Sequence, residues 1–503
     1  MRPKKAYQWL VEHHRETARY DSIRELLGWD QRTCLPPAGQ SHRAAQLATL
    51  AGLLARRKTN PKIGEMLAEV EGSGLVHDPL SDESVNVREW RRIYDRSCRI
   101  PEALAVELAR AASECEMVWQ AAKPKDDWYG FLPHLEYLVS LKREEAGMLS
   151  VKGEIYDALI EEFEPGETAR TIEAVFDRLA KPLVELLDRI RGSAKKPDPG
   201  ILLGDSPVRA QKALIRHIVE RIGYDLDSGR IDRSAHPFTS TIGPGDVRIT
   251  TRYEKGSFAE ALLSAVHEAG HALYEQGLPV AHWGTPRGAA VSMAIHESQS
   301  LMWENIVGRS AGFWKRFHPA ARKHLPWLAP LPFDSFHLAL NAVRPGLIRT
   351  EADEVTYNLH VIMRFELERA LIGRDLEPEY LPEAWNEKMW NYLGLVPPDY
   401  ASGVMQDVHW SGGAIGYFPS YALGTIYAAQ FYAKAAQDLG DPELLFESGD
   451  FAPFVRWFRV KVHSQGSRYL PRDLLRAATG EDLDPGYLID YLNGKYSELY
   501  GNG

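Results

Sequence analysis

The chain has 503 residues, of which 44% are hydrophobic and 25% are charged, and 59 basic against 69 acidic residues give it a net charge of −10. This composition excludes wholesale disorder, and the length allows a large buried core that needs no disulfides. The acidic balance argues against non-specific binding to nucleic acid, which requires a basic surface. Three cysteines (Cys34, Cys98 and Cys115) without CxxC spacing provide no disulfide framework and no thiolate metal site, and they are typical of a reducing compartment.

Two segments bear on targeting and membranes. The amino terminus lacks the apolar segment of a secretory signal, because Glu12 and Arg15 soon follow the basic residues Lys4 and Lys5. Residues 410–433 carry no charged side chain, but small and polar residues interrupt them, so they predict a loop and a buried helix rather than a membrane span. We therefore expect a soluble, cytoplasmic protein with no membrane partner.

Helices are predicted over most of the chain. From residue 1 to about 195 apolar residues recur at spacings of three and four, which is the period of an amphipathic helix. Turn signals rich in proline, glycine and aspartate separate the helical segments at residues 35–39, 78–81, 163–166 and 196–200. Many acidic and basic side chains at helical spacing indicate solvated outer faces.

The pattern changes between about residues 232 and 253. Two runs rich in β-branched residues, 238–242 and 247–253, bracket the Gly-Pro-Gly-Asp sequence at 243–246, which predicts a β-hairpin. These are the only strands that the sequence predicts. The edge of a hairpin can bind an extended peptide through main-chain hydrogen bonds. Helices resume at Ser257 and continue to the carboxyl terminus.

The next segment contains an HExxH motif, His267-Glu268-Ala269-Gly270-His271. Ser257 and Glu260 have the spacing of a capping box, and the helix is expected to end at 277–279. Two histidines four residues apart share one helix face, which is the geometry that two imidazoles need to bind one zinc ion. Glu268 lies beside them, where it can take a proton from metal-bound water.

A catalytic zinc needs three protein ligands and an open coordination position. Glu297, on the next predicted helix (about 289–307), completes the two-histidine, one-glutamate set of thermolysin-like peptidases. His296 and Glu304 compete with it as ligands. One intervening loop would let the two helices pack antiparallel.

Beyond the metal motif, segments along nearly the whole chain resemble the carboxypeptidase Taq family of metallocarboxypeptidases. In chain order they are GWDQ (28–31), YDALIEEFEPG (156–166), DRSAHPF (232–238), DVRITTRY (246–253), HESQS (296–300), IRTEADE (348–354) and GVMQDVHW (403–410). The resemblance implies a metal-dependent enzyme that removes single residues from the carboxyl ends of peptides, with broad preference and poor cleavage next to proline.

The resemblance also has implications for architecture. It implies a mainly α fold, with two lobes around a long central groove and a small β-hairpin or sheet beside the active site, similar to angiotensin-converting enzyme and neurolysin. We expect a single catalytic domain over 1–503, in which 1–195 form a helical lobe and groove wall and 196–503 form the zinc-binding part. Relatives are usually homodimers, so a homodimer is expected.

The motifs suggest roles for individual side chains. One Zn²⁺ ion per chain, or Co²⁺ or Mn²⁺ in its stead, would bind His267, His271 and Glu297 and lower the pKa of a bound water toward about 7. Glu268 would act as general base and then protonate the leaving amine. The tetrahedral intermediate needs hydrogen-bond donors for its oxyanion. The candidates, mostly on family grounds, are Tyr421, Tyr417, His409 and His236.

An exopeptidase must also recognise a free carboxylate, for which a bidentate arginine is the usual means. The family pattern favours Arg349. Arg248 and Arg252 compete with it, and their even spacing puts both on one face of the predicted strand. We also expect Asp353 to orient a zinc-bound histidine.

Two other functions remain open from the sequence. One is a zinc endo-oligopeptidase with the same metal site, in which Arg349 is structural. The other is an inactive scaffold that binds peptides. The presence of Glu268 argues against the scaffold, because metal binding alone does not require that base.

Overall fold

A computed structural model of the chain describes residues 2–150 and 152–501. Within these residues helices dominate, which confirms the predicted mainly α class. The α-helices are α1 Pro3–Thr33, α2 Gln40–Lys58, α3 Pro61–Glu71, α4 Asp82–Arg99, α5 Glu102–Ala122, α6 Trp128–Leu149, α7 Asp157–Phe163, α8 Ala169–Gly192, α9 Val208–Arg221, α10 Phe258–Glu275, α11 Met293–Leu301, α12 Ala311–His324, α13 Phe333–Leu340, α14 Thr356–Gly373, α15 Leu381–Leu393, α16 Phe418–Leu439, α17 Pro442–Ser448, α18 Ala452–Lys461, α19 Pro471–Thr479 and α20 Gly486–Tyr500.

The strands form one three-stranded sheet within the described residues. The strands are β1 Gly229–Arg233, β2 Thr239–Gly243 and β3 Asp246–Thr251, in the order β1-β3-β2. The antiparallel pair of β2 and β3 confirms the predicted hairpin. Strand β1 was not predicted: it pairs with β3 in parallel, and its sequence Gly-Arg-Ile-Asp-Arg has a single β-branched residue to signal a strand.

The sheet packs under α1. The Ser22 hydroxyl of α1 donates to the carbonyl of Ile242, and the indole ring of Trp29 lies against two sheet arginines, 5.0 Å from the guanidinium of Arg230 and 4.3 Å from that of Arg248. The amino-terminal helix therefore covers the strand that leads toward the HExxH helix.

The start of the HExxH helix differs from the prediction. Ser257 is the N-cap of α10, but its side chain makes no capping hydrogen bond, so the expected capping box does not form. Glu260 instead accepts a 2.7 Å hydrogen bond from Arg252. Backbone bridges from Ser257 to Leu203 and Glu254 hold the chain at this point.

The described residues bury two separate hydrophobic clusters. The smaller one joins α1, α3 and α4 through residues such as Leu10, Leu67 and Trp90. The larger one extends from Leu104 to Tyr500, so helices on both sides of residue 195 share one core.

Helix α16 is buried in the larger cluster over most of its first fourteen residues, 418–431, which confirms that the uncharged segment 410–433 forms a loop and a core helix. Among the helices of the described residues, none has both the length and the apolarity needed to cross a bilayer.

Candidate active site

Helices α10 and α11 pack antiparallel, as predicted. Moving along α10, the side chains of His267, His271 and Glu275 meet those of Glu304, Glu297 and His296, in that order. The helices approach so closely that a Cβ atom on Gly270 would lie 2.7 Å from a main-chain oxygen of α11. The glycine in the middle of the HExxH motif therefore sets the distance between the two helices.

Three side chains form a candidate metal centre. Glu297 Oε2 lies 3.7 Å from His267 Nε2 and 3.8 Å from His271 Nε2, and the three potential ligand atoms lie within 4.8 Å of one another. Tetrahedral ligands with bonds of about 2.0–2.2 Å lie slightly more than 3 Å apart, so a small contraction would seat a divalent ion. Two imidazoles and a carboxylate are a suitable donor set for zinc or a related metal.

The two alternative ligands, Glu304 and His296, contact the Nδ1 atoms of the two histidines and are not part of the three-residue cluster. Glu304 accepts a 2.7 Å hydrogen bond from His267 Nδ1, and His296 Nδ1 lies 2.5 Å from His271 Nδ1. His296 Nε2 in turn lies 2.8 Å from Glu275 Oε1. Both α10 histidines therefore use Nδ1 within the protein and keep Nε2 for a metal, an arrangement that fixes tautomer and ring orientation.

Glu304 lies on a π-helical segment, Met302–Val307, that continues α11. Such segments are frequent at functional sites. Asp353 does not have the expected role: its carboxylate accepts hydrogen bonds from the backbone amide of Arg344 and, at the start of α14, from those of Val355 and Thr356. Glu304, and not Asp353, is the carboxylate that contacts His267, because the π-helical segment brings its side chain to that ring.

The amino terminus of α11 is held by a carboxylate from the first 195 residues. Glu164, fully buried, accepts hydrogen bonds from the Ala294 amide at 2.6 Å and the Ser420 hydroxyl at 2.7 Å. Burial raises the pKa of Glu164 to about 8. A Cβ on Gly424 would lie 2.8 Å from Glu297 Cβ, so α16 packs directly against the proposed ligand Glu297.

Glu268 borders the metal centre from α10. The Thr239 hydroxyl at the start of β2 donates to Glu268 Oε2 at 2.6 Å, while Oε1 has no hydrogen-bond partner among the described residues. Burial raises the pKa of this carboxyl above its ordinary value, as suits a general base. Sequence reasoning missed Thr239, although its place in a hairpin next to the motif was the available signal.

A cavity of about 570 Å³ opens over these groups. It brings together most of the predicted site residues and adds Thr239 and Tyr357, which the sequence did not identify. Its polar lining includes Thr239, His267, Glu268, His271, His296, Glu297, Glu304, Arg349, Tyr357, Tyr417 and Tyr421.

The three candidate arginines have different surroundings. Arg349 lines the cavity, is only 6% exposed, and binds Asp407 Oδ1 through Nε and Nη2, both at 3.0 Å. Arg248 is paired with Asp246 under α1, and Arg252 is paired with acidic residues on the protein surface. Within the described part of the chain, Arg349 is therefore the arginine that can contact a ligand at the metal centre.

The four candidate oxyanion donors also differ in their position relative to the cavity. Tyr417 and Tyr421 line the cavity, and His409 lies behind them, with Nε2 3.2 Å from the Tyr421 hydroxyl. Burial raises the pKa of Tyr421 to about 12, so its hydroxyl keeps the proton it would donate. Burial, followed by the charge of Arg349, lowers the pKa of His409 to about 4. His236 is exposed in the turn that precedes β2.

The chain is similar to known proteins over nearly its whole length. Residues 9–496 match the profile of the carboxypeptidase Taq (M32) metallopeptidase family. The chain is 54% identical over 510 residues to thermostable carboxypeptidase 1 of Thermus thermophilus, covering 100% of both proteins, and 39% identical to carboxypeptidase 1 of Bacillus subtilis, covering 96% of both.

Solved structures are similar to the chain as well. A crystal structure of an M32 carboxypeptidase from Deinococcus radiodurans R1 superposes with a TM-score of 0.95 at 38% identity, covering 99% of this chain and 100% of that one. A Pyrococcus furiosus carboxypeptidase structure gives a TM-score of 0.94 at 36% identity, covering 98% of this chain and 99% of the other.

Proposed function

The chain belongs to the carboxypeptidase Taq (M32) family of metallopeptidases, and we propose that it is a zinc carboxypeptidase releasing single residues from the free carboxyl ends of peptides. The observation that carries this proposal is that one cavity contains the His267, His271 and Glu297 triad, the base Glu268 and the buried cation Arg349. A hydrolytic centre and a receptor for a carboxylate thus face the same space.

A divalent metal bound by the triad would polarise the scissile carbonyl and make a water molecule more acidic. Glu268 is the general base: Oε1, which is free of protein partners among the described residues, accepts the proton of the attacking water. Thr239 holds Oε2 and so keeps the carboxylate in one orientation. The same carboxyl then delivers the proton to the leaving amine.

The developing oxyanion requires a hydrogen-bond donor that keeps its proton. Tyr421 and Tyr417 are the proposed donors, because both line the cavity. His409 acts through Tyr421 by contacting its hydroxyl, and we assign no contact with substrate to the exposed His236.

Arg349 is proposed to bind the substrate carboxylate, which limits cleavage to the last peptide bond. The ion pair of Arg349 with Asp407 favours the alternative, an endo-oligopeptidase in which this arginine is structural. Peptide length and the free carboxyl group therefore provide the decisive test.

The experiment uses one peptide as its free acid and as its carboxyl-terminal amide, with products identified by mass spectrometry. A carboxypeptidase removes single residues in succession from the free acid and spares the amide. Equal cleavage of both peptides, or products cut internally, would establish the endo-oligopeptidase. Variation of the last residue tests the proposed broad preference, and a penultimate or terminal proline tests the proposed poor cleavage next to proline.

Zinc is the proposed metal, and Co²⁺ or Mn²⁺ can use the same ligands. Elemental analysis of the purified protein identifies the native ion and its stoichiometry, for which we expect one per chain. The homodimer and the cytoplasmic location stay predictions from the sequence.

A further inference from the structure

Asp407 is shared by two buried arginines. Its Oδ1 binds Arg349, while its Oδ2 lies 2.7 Å from both Nε and Nη2 of Arg364. Arg364 is 0% exposed, donates from Nη1 to the carbonyl of His360, and has its guanidinium 4.5 Å from the ring centre of Trp385. One carboxylate thus binds two guanidinium groups, one through each of its oxygens.

The charges of this cluster do not cancel. Two guanidinium groups and one carboxylate leave one positive charge, because arginine stays protonated in proteins. The other groups near Asp407 do not neutralise that charge. Lys123, which donates to the carbonyl of Gln406, adds a further cation, and the buried rings of His360 and His409 contribute no negative charge.

Of the two arginines, Arg349 lines the cavity. Its Nε and Nη2 contact Asp407, and its Nη1 has no hydrogen-bond partner among the described residues. If Asp407 formed an ion pair with Arg349 alone, that pair would be neutral and would attract a substrate carboxylate only weakly. Because Arg364 takes Oδ2, Asp407 orients Arg349 while only partly neutralising it.

We propose that Arg364 is a positioning residue for exopeptidase specificity: by holding Asp407 it maintains the excess positive charge that Arg349 presents to the carboxyl terminus of the peptide. The inference rests on the proposed function, since it assumes that Arg349 receives the substrate carboxylate. According to this inference Arg364, which does not line the cavity, sets the preference for a free acid over an amide.

The test measures inhibition of the metal-loaded enzyme by N-acetyl-phenylalanine and by its amide, together with KM and kcat for a peptide acid. The wild-type enzyme should bind the acid more tightly than the amide. Arg364→Gln should reduce that preference about 10- to 30-fold, which is the effect of one charge at an assumed separation of about 8 Å from the substrate carboxylate, with an effective dielectric constant near 20. KM for the peptide should rise while kcat changes little.

Two variants separate charge from structure. Arg364→Lys keeps a cation beside Asp407 Oδ2 and should restore most of the preference. Arg364→Gln combined with Asp407→Asn removes both charges of the pair, so Arg349 regains an unneutralised charge and can still donate to the introduced amide oxygen. In Arg364→Gln the buried carboxylate keeps Arg349 but loses the partner of its Oδ2. The double variant removes that carboxylate as well and is the safer one for folding, which thermal unfolding will check.

The outcomes are distinct. If the wild-type enzyme does not distinguish acid from amide, carboxylate recognition itself is wrong. If the wild-type enzyme does distinguish them and Arg364→Gln keeps the full preference, the role of Arg364 is wrong while the proposed function stands. Loss of the preference in the double variant, to the extent seen in the single one, would also overturn the charge argument. Should Arg364→Gln fail to fold, Asp407→Asn takes its place as the reference: the double variant should then show a preference about 10- to 30-fold lower than Asp407→Asn, and equal preferences would overturn the role of Arg364.

Discussion

Replacing Glu304 with glutamine keeps the shape of the side chain but removes the carboxylate that accepts the His267 Nδ1 proton at 2.7 Å. A hydrogen bond to a charged group contributes about 1.5–3 kcal/mol net, and about 1.4 kcal/mol corresponds to tenfold in an equilibrium constant. If that energy orients His267 for the metal, Glu304→Gln should weaken metal affinity about 10- to 100-fold. This range agrees with the usual effect of losing the partner of a metal-binding histidine.

The assay is a zinc titration of metal-free protein against a chromophoric chelator, which needs no catalytic turnover. Glu275→Gln is the matched control, because Glu275 reaches His271 only through His296 and should cost less than about tenfold. Zinc affinity of Glu304→Gln within about twofold of wild type would refute the reasoning, provided that thermal unfolding shows an intact fold.

Three further perturbations have defined outcomes. Glu268→Gln should keep metal affinity and lose at least about 1,000-fold in kcat, because an amide cannot take the proton; near wild-type hydrolysis would contradict the mechanism. Gly270→Val brings a Cβ to 2.7 Å from the Gln299 carbonyl and should cost at least about 1–3 kcal/mol of unfolding free energy, whereas Gly147→Ala, with open space around it, should not lower Tm. The buried Glu164, with its pKa near 8 in the folded protein and 4.5 as its ordinary value, binds a proton that unfolding releases, so its contribution to stability falls as pH rises from about 4.5 to 8. Denaturant unfolding at pH 6 and 9 should show a smaller loss in Glu164→Gln than in wild type, and equal losses would contradict this assignment.

The cluster of candidate metal ligands could be predicted from the sequence because its geometry is mostly local. His267 and His271 lie one helical turn apart whatever surrounds the helix, and the next helix must present its ligand within a short loop. Glu297 was therefore favoured over His296 and Glu304. The hairpin was predictable for the same reason, since a four-residue turn between β-branched runs specifies its own pairing.

Three expectations from local patterns failed because the residues have other partners in the folded chain. Ser257 and Glu260 are the right residues for a capping box, but Glu260 accepts a hydrogen bond from Arg252 instead. Strand β1 has a weak sequence signal and forms because it pairs in parallel with β3. Asp353 belongs to a family motif, yet its oxygens are occupied by backbone amides.

By itself, the sequence determined the helical class, the hairpin and the metal-binding face of α10, because each depends on spacing along one or two neighbouring elements. Only the tertiary structure decided which arginine faces the metal centre and which carboxylates orient His267 and Arg349. The physical reason is that the strength of an electrostatic interaction depends on the distance between the groups and on their burial. For residues 304, 349 and 407, both are set by helices and loops that approach one another only in the folded chain.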